Sequence, residues 1–352
     1  MSIDVEKIRH NAVTVSRLLA ASGLRFVAVN KATCGHPEVA RAMLEGDPLA
    51  VADSRIENLR RLRESGYKGE TVLLRAPSPS RCAEAVEVVD TSLVSEVAIA
   101  AALGEAARAR GKEHKVILMV DLGDRREGVL PEDTPDVARA VASIPGVRLA
   151  GIGTNLACYG AVIPTREKME ELLEVKEKVE EAVGFPLERV SGGNSANIPL
   201  VLRGEMPRGI TELRLGESVI LGTEAAERTL IPGCFGDAFT LHAEAIEVIT
   251  KPSMPSGKIG QDAFGEVPVF VDRGNRKRAI LAIGRQDVDP DGLTPIDKGV
   301  TVLGASSDHL ICDVEDAEED VKVGSVLSFV PNYSALLRLA TSPYVEKVVK
   351  KP

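Results

Sequence analysis

A lysine at the end of a predicted strand is the residue of this sequence best placed for nucleophilic chemistry. The stretch from Arg25 to His36 reads RFVAVNKATCGH, so a strand-forming run ends at Lys31 and a loop of small residues follows. A lysine at such a strand end can be partly desolvated, and its amine is then partly neutral, as a nucleophile requires. Lys31 is therefore a candidate Schiff-base lysine. The alternative is an ordinary strand-end lysine that points into water.

Two later segments have the composition of an anion-binding site. Ser191 to Asn197 reads SGGNSAN, and Arg214 to Ser218 reads RLGES. Glycines let the backbone approach an anion closely, and the free amides at a helix start favour negative charge. The hydroxyl of Ser195 and the amides of Gly216 and Glu217 therefore predict a phosphate site that both segments share. A glycine turn followed by an ordinary helix cap is the alternative for the first segment.

Short apolar runs alternate with helix-patterned segments after an opening amphipathic helix from Val5 to Gly23. Strands separated by helices of this length must run parallel, and eight such units close naturally into a (β/α)8 TIM barrel. An open doubly wound sheet is the alternative fold. The eight predicted strands are Phe26 to Lys31, Leu49 to Asp53, Thr71 to Arg75, Thr91 to Val94, Lys115 to Leu122, Arg148 to Asn155, Leu187 to Ser191 and Ile210 to Leu215.

From about Ile231 the pattern changes to closely spaced short strands with polar turns, which predicts an all-β domain. We therefore expect a barrel over residues 1–230 and a C-terminal β domain over residues 231–352. The predicted strands of the second domain are Ala243 to Ile249, Val267 to Val271, Arg278 to Ile283, Gly299 to Leu303, His309 to Asp313 and Ser325 to Phe329.

The predicted barrel would gather the candidate residues, because the C-terminal ends of its strands form one rim where active sites of this fold lie. Lys31 follows the first strand, Arg126 follows the fifth, and Asn155 ends the sixth. A lysine and a phosphate cradle on one rim describe a barrel that binds pyridoxal 5'-phosphate (PLP). Arg214 falls where it could donate to the pyridine nitrogen, a partner that favours proton removal and return over decarboxylation. A structural salt bridge is the alternative for Arg214.

Composition excludes several classes of partner. The net charge is -9, from 52 acidic and 43 basic side chains without a basic block, so we expect no nucleic acid partner. No apolar run reaches the roughly 18 residues that span a bilayer, and the N-terminus lacks a signal-peptide core, which predicts a cytoplasmic protein without a membrane partner. Five scattered cysteines argue against a disulfide framework and a structural zinc site, and we expect four of them in the core.

These motifs resemble the alanine racemase-like family of PLP-dependent amino acid racemases, over nearly the whole chain. IDVEKIRHN at Ile3 to Asn11 is similar to the family's opening helix, VNKATCGH carries its PLP lysine at Lys31, and DLGDRREGV carries an arginine at Arg126. GNSAN is similar to its phosphate segment, RLG to its pyridine-nitrogen arginine, and PNY to its phosphate-binding tyrosine. The resemblance implies that the cofactor is held by Lys31, Asn155, Asn194, Ser195, Arg214, Gly216, Glu217 and Tyr333.

The departures from alanine racemases resemble the ornithine racemase branch of the family. The tyrosine that follows the PLP lysine is missing, Asn155 replaces a histidine, and Lys251 to Gly265 lacks the tyrosine that serves as the second base. The resemblance implies a racemase of ornithine or another basic amino acid that works as a homodimer with shared active sites. The alternatives are an alanine or broad-specificity racemase, a PLP-dependent decarboxylase or aldolase, and a non-enzymatic PLP carrier.

Racemisation by two bases needs a proton acceptor on each face of the substrate. Lys31 serves one face, and Arg126 is assigned to the substrate carboxylate or the cofactor's phenolic oxygen. Asp287 is the preferred second base. Two alternatives for Asp287 and its neighbour Asp289 are solvated turn carboxylates and counter-charges for a distal ammonium. The other possible second bases are Asp289, Cys34 and Tyr333.

Overall fold

The computed structural model describes residues 1–350, and the chain divides into two compact units. One unit is Val5–Gly236, and the other combines Met1–Asp4 with the residues from Asp237 onward. The strands are β1 Ser2–Ile3, β2 Arg25–Val29, β3 Val51–Asp53, β4 Thr71–Leu73, β5 Thr91–Val94, β6 His114–Val120, β7 Val147–Thr154, β8 Arg189–Ser191, β9 Glu212–Leu215, β10 Phe239–Pro252, β11 Asn275–Leu281, β12 Leu293–Pro295, β13 Thr301–Ala305, β14 Leu310–Asp313, β15 Val326–Pro331 and β16 Val348–Val349. The α-helices are α1 Val5–Ala20, α2 Pro37–Leu44, α3 Ile56–Glu64, α4 Cys82–Val88, α5 Val97–Arg108, α6 Thr134–Ala142, α7 Arg166–Val183, α8 Ile198–Leu202, α9 Glu217–Ile220 and α10 Tyr333–Thr341.

Strands β2 to β9 form a closed barrel of parallel strands in chain order. The barrel closes where β2 pairs with β9, from Arg25 opposite Glu212 to Ala28 opposite Leu215. Each predicted barrel strand overlaps one of these strands, and a separate antiparallel sheet follows. The predicted TIM barrel with a C-terminal β domain is therefore confirmed.

Aliphatic side chains fill the barrel interior, in keeping with the low aromatic content of 3% and the lack of tryptophan. One buried cluster draws small and branched residues from five strands and the loops beside them, among them Val27, Ala52, Val72 and Ile117. Outside the barrel, amphipathic helices cover the strands, and α1 buries Ile8, Val15 and Leu19 on one face. This two-layer packing fixes the strand ends that carry the site.

A buried ion pair ties the lower ends of the barrel strands together. Arg189 at the start of β8 donates to both carboxylate oxygens of Glu212 at the start of β9, at 2.7 and 2.9 Å. Its remaining terminal nitrogen donates to Glu70 at 2.7 Å. Glu212 is fully buried, so its charge depends on this bidentate partner.

The second unit is an antiparallel sheet in the order β12-β15-β10-β11-β14-β13, and β1 joins it beside β10. The predicted strand Val267 to Val271 is wrong: no strand forms there, and Val269 is 91% exposed. Its alternating apolar residues have high β-propensity, but a strand also needs a neighbour to pair with. The sequence also missed α10, whose start is capped by Asn332 accepting from the Ala335 amide at 3.0 Å.

Within the described part of the chain, we find no helix with the length and apolar character that crossing a membrane requires.

Candidate active site

Lys31 lies just beyond the end of β2, in a tight turn that fixes its position. Lys31–Thr33 form one turn of 3-10 helix, which Cys34 closes in the left-handed conformation with its amide donating to the Lys31 carbonyl at 3.1 Å. Gly35 follows, also with positive φ, and a Cβ there would lie 2.6 Å from the Cβ of Asn58. The glycine is therefore required both by conformation and by close packing.

The environment of Lys31 favours a neutral amine. Burial lowers the pKa of Lys31, and the positive charges of Arg126 and Arg214 lower it further, against the opposing effects of Cys158 and Asp53. These four side chains come from or follow four other barrel strands, so the rim does gather the groups that act on the lysine. A lowered pKa increases the neutral fraction of the amine, and the neutral amine is the form that acts as a nucleophile or accepts a proton.

Arg214 is a buried cation held by a fixed set of acceptors. Its two terminal nitrogens donate to Ser191 Oγ at 2.6 Å and to the Thr154 carbonyl at 2.7 Å, with a longer contact of 3.4 Å to Asn155 Oδ1. Complete burial lowers the pKa of Arg214 to about 10, so the guanidinium stays charged at neutral pH. The site therefore contains a permanent, rigid cation.

The two segments predicted to bind phosphate meet in the structure. The amide of Ser218 donates to Ser195 Oγ at 3.2 Å, which joins the segment after β8 to the segment after β9. The expected helix after the first segment is only a 3-10 turn and the five-residue α8, so the helix dipole contributes little here. The predicted phosphate site would therefore depend mainly on hydroxyl and backbone donors.

Glu217 has a second role that the sequence did not predict. Its amide lies in the predicted phosphate segment, but its buried carboxylate pairs with Arg228 and accepts from Thr223 Oγ1 at 3.4 Å. Burial raises the pKa of Glu217, while Arg228 opposes that rise. Arg228 thus offsets the negative charge of Glu217 within the predicted phosphate segment.

The loop after β6 presents Arg126 and is anchored by Asp124. The side chain of Arg126 pairs with Glu127, and this pairing raises the pKa of Arg126. Asp124 is buried and accepts from the amides of Cys158 at 3.3 Å and Tyr159 at 2.9 Å. These hydrogen bonds tie the loops after β6 and β7 to each other. Arg126 of the first loop lowers the pKa of Lys31, and Cys158 of the second raises it.

Cys158 and Asp53 are the rim residues that the sequence prediction missed. Cys158 is exposed, and it is one of five unpaired cysteines of which three are buried, so the expectation of four core cysteines was wrong. Both residues stand at or just beyond a strand end, Asp53 on β3 and Cys158 after β7. Position at the strand end was the signal that could have identified them.

The candidates for the second base divide between the two units. Cys34 directs its thiol to Asn58 Oδ1 at 3.8 Å, on the loop of Lys31 itself. Asp287, Asp289 and Tyr333 belong to the second unit. Asp287 is buried and accepts from Ser342 Oγ at 2.6 Å. Asp289 accepts from Ser334 Oγ at 2.5 Å.

Asn155 tests whether the rim suits a cofactor. Its Oδ1 accepts from Asn194 Nδ2 at 3.1 Å, whereas its own Nδ2 is buried without a hydrogen-bond partner in residues 1–350. A buried amide donor without a partner is costly, and a bound group that accepts from it removes the cost. With the amine of Lys31, the cation of Arg214 and the hydroxyl of Ser195, this donor set fits PLP.

Comparison with known proteins decides the family. The family model described as the N-terminal domain of alanine racemase matches residues 3–223. The chain belongs to the alanine racemase family. This assignment covers the whole barrel, from α1 to the segment after β9.

Two relatives within this family are similar over their full lengths. A lysine racemase of Thermotoga maritima is 44% identical over 346 residues, which cover 98% of this chain and 97% of the relative. An ornithine racemase of Acetoanaerobium sticklandii is 42% identical over 348 residues, which cover 99% of this chain and 98% of the relative. The similarity therefore includes the β domain as well as the barrel.

Solved structures share the fold at low identity. An alanine racemase of Streptomyces lavendulae superposes with a TM-score of 0.74 at 20% identity, over 100% of this chain and 96% of that one. A D-threo-3-hydroxyaspartate dehydratase of Delftia sp. HT23 gives 0.72 at 19% identity, over 99% and 93%. Because racemases and a dehydratase share this family fold, the fold alone does not decide the reaction.

Proposed function

We propose that this protein is a PLP-dependent racemase of basic amino acids that interconverts the L- and D-enantiomers of ornithine and lysine. The observation that carries the proposal is full-length similarity, at 44% and 42% identity, to a lysine racemase and an ornithine racemase. The rim geometry supports it, since a lysine of lowered pKa lies among the cations and hydrogen-bond donors that PLP and an amino acid carboxylate require.

In this proposal Lys31 holds PLP covalently and also moves the proton. When bound, PLP supplies an electron sink that makes the hydrogen on the substrate's Cα acidic. Lys31 Nζ would remove or return that proton on one face of the substrate. Burial lowers the pKa of Lys31, which favours the neutral amine that can accept a proton.

The other rim residues hold and orient the reacting groups. Arg214 would donate to the pyridine nitrogen, and the hydrogen bonds to Ser191 and Thr154 keep its guanidinium in place. Ser195 and the amides of Gly216 and Glu217 would hold the phosphate, and Tyr333 is proposed to complete this site. Asn155 and Asn194, which hydrogen-bond each other, would line the cofactor beside Arg214. Arg126 binds the substrate carboxylate or the cofactor's phenolic oxygen.

For the opposite face we propose Asp287 as the proton acceptor, contributed by the partner subunit of a homodimer. Asp287 is a carboxylate whose orientation is fixed by the hydrogen bond that it accepts from Ser342 Oγ at 2.6 Å, which suits a group that must meet one reacting atom. A cytoplasmic location is part of the proposal, since the five unpaired cysteines suit a reducing compartment.

Chiral chromatography of the purified, PLP-loaded protein with each L-amino acid tests the proposed function. We expect D-ornithine and D-lysine to accumulate until both enantiomers are equal, and L-alanine to react more slowly. Release of carbon dioxide, or loss of the amino group as the main product, would replace racemisation by another PLP reaction. Protein that binds PLP and leaves every enantiomer unchanged would favour a carrier.

A further inference from the structure

Asp53 lies at the strand end beside the one that leads to Lys31. Strands β2 and β3 are parallel neighbours, with Val29 opposite Ala52 and the Asn30 amide donating to the Ala52 carbonyl at 2.9 Å. Asp53 is the last residue of β3, so it reaches the rim at the level where the chain turns towards Lys31. The two residues therefore share one corner of the barrel mouth.

Only one of the two carboxylate oxygens of Asp53 accepts hydrogen bonds from described residues. Its Oδ1 accepts from the Arg55 amide at 2.9 Å and from Asn58 Nδ2 at 3.0 Å, which fixes the carboxylate plane. Its Oδ2 is buried and accepts no hydrogen bond from any described residue. The whole residue is 1% exposed. A buried carboxylate oxygen that accepts no hydrogen bond costs free energy, and a nearby positive charge would offset this cost.

Lys31 and Asp53 act on each other electrostatically. The groups acting on Asp53 are the amides of Ser54 and Arg55, the side chain of Asn58, and the charge of Lys31. The groups acting on Lys31 are Cys158, Arg126, Asp53 and Arg214. Burial raises the pKa of Asp53 to about 6, so the carboxyl is mainly ionised at neutral pH.

We propose that Asp53 is a positioning residue whose carboxylate is the counter-charge for the ammonium form of Lys31. This inference rests on the proposed function. When Lys31 takes the Cα proton, the C–H bond breaks, an N–H bond forms at Nζ, and the electron pair stays with the substrate and its cofactor. Asp53 gains no proton in this step. Its negative charge stabilises the new ammonium in a largely buried place, which strengthens Lys31 as a base.

Burial also decides how Asp53 acts. A residue that is 1% exposed offers no surface to a substrate, so its influence passes through Lys31 and not through contact with the reacting atoms. Below a pH of about 6 the carboxyl of Asp53 gains a proton and the counter-charge is lost. The support for the protonated state of Lys31 is therefore present above this pH and disappears below it.

The test compares the proton affinity of Lys31 in wild type and Asp53→Asn. The PLP is removed, the full-length protein is labelled with trace acetic anhydride across a pH series, and the Lys31 peptide is quantified by mass spectrometry. The amide can still accept from Arg55 and Asn58, but it carries no charge. We expect the proton affinity of Lys31 to fall about tenfold in the variant.

Asp47→Asn is the matched control, because it makes the same chemical change at a side chain that is 93% exposed. It should leave the Lys31 profile unchanged. A second measurement needs no variant: in wild type, the logarithm of Lys31 labelling should fall with slope below one as the pH decreases through about 6, since protonation of Asp53 then lowers the pKa of Lys31.

An unchanged Lys31 pKa in a folded Asp53→Asn protein, or a wild-type slope of one throughout, would reduce Asp53 to a hydrogen-bond acceptor at the start of α3. Because labelling does not depend on turnover, these results differ from failure of the proposed function. That failure would appear as wild-type protein that converts no amino acid, whatever Asp53 does to Lys31.

Discussion

Replacing Arg214 with glutamate changes the reaction and the stability at once, and the structure gives the size of the second effect. The two short hydrogen bonds from Arg214, to Ser191 Oγ at 2.6 Å and to the Thr154 carbonyl at 2.7 Å, are both lost. A hydrogen bond to a charged group contributes about 1.5–3 kcal/mol, so Arg214→Glu should lower the free energy of unfolding by about 3–6 kcal/mol. The variant should therefore be assayed at low temperature.

The chemical effect of Arg214→Glu is a change in the product ratio. An acidic partner lets the pyridine nitrogen carry a proton, which draws more electron density from the substrate carbon into the ring. We expect stronger long-wavelength absorbance with L-ornithine and a higher ratio of transamination to racemisation. Absorbance spectra and product analysis by chiral chromatography measure both quantities.

Arg214→Lys is the matched control, because it keeps a positive charge but lacks the planar fork. It should lose stability and rate without the shift towards transamination. If Arg214→Glu folds and has the spectrum and product ratio of wild type, Arg214 is a structural residue. The preference for racemisation over decarboxylation would then lose its chemical basis.

Three further predictions concern the cofactor, the dimer and the barrel floor. Borohydride should fix PLP to the protein at Lys31 and nowhere else by mass spectrometry, and Lys31→Ala should abolish the adduct; an adduct on another lysine would overturn the site. Mixing inactive Lys31→Ala and Asp287→Ala proteins should restore up to about a quarter of wild-type activity. Random pairing makes half of the dimers heterodimers, and each heterodimer has one intact site out of two. No recovery despite proven subunit exchange would place Asp287 in its own subunit's site. Arg189→Met should lower the free energy of unfolding in urea by about 3–5 kcal/mol, because it leaves buried Glu212 unpaired. Adding Glu212→Gln should recover part of this loss. Equal stability of Arg189→Met and wild type would show that the pair contributes nothing.

The barrel was predictable because its signals are local and repeated. Each strand is a short apolar run between helices, and the parallel arrangement follows from the length of the connections. The predicted strand ends also bring Lys31 and Arg214 to one rim. The β domain was less predictable, since Val267 to Val271 has strand-forming residues but no strand beside it to complete a ladder.

Sequence patterns did not predict the contacts between residues that come from different strand ends. The pairing of Glu217 with Arg228 depends on how a loop folds back, and the exposure of Cys158 depends on the tie between two loops at Asp124. Whether Asp53 Oδ2 accepts a hydrogen bond depends on the positions of all its neighbours in three dimensions. Tertiary packing decides these features, and no local propensity encodes them.

Racemisation in deuterium oxide tests the central claim most directly. L-Ornithine and L-lysine are each incubated with the PLP-loaded protein, and the enantiomers are separated and weighed by mass spectrometry at early times. If Lys31 acts on one face and a second group acts on the other, the first D-enantiomer formed should carry deuterium at Cα, and the remaining L-enantiomer should carry little. D-enantiomer that retains protium would contradict a two-base mechanism, and the absence of any D-enantiomer would contradict the proposed racemase itself.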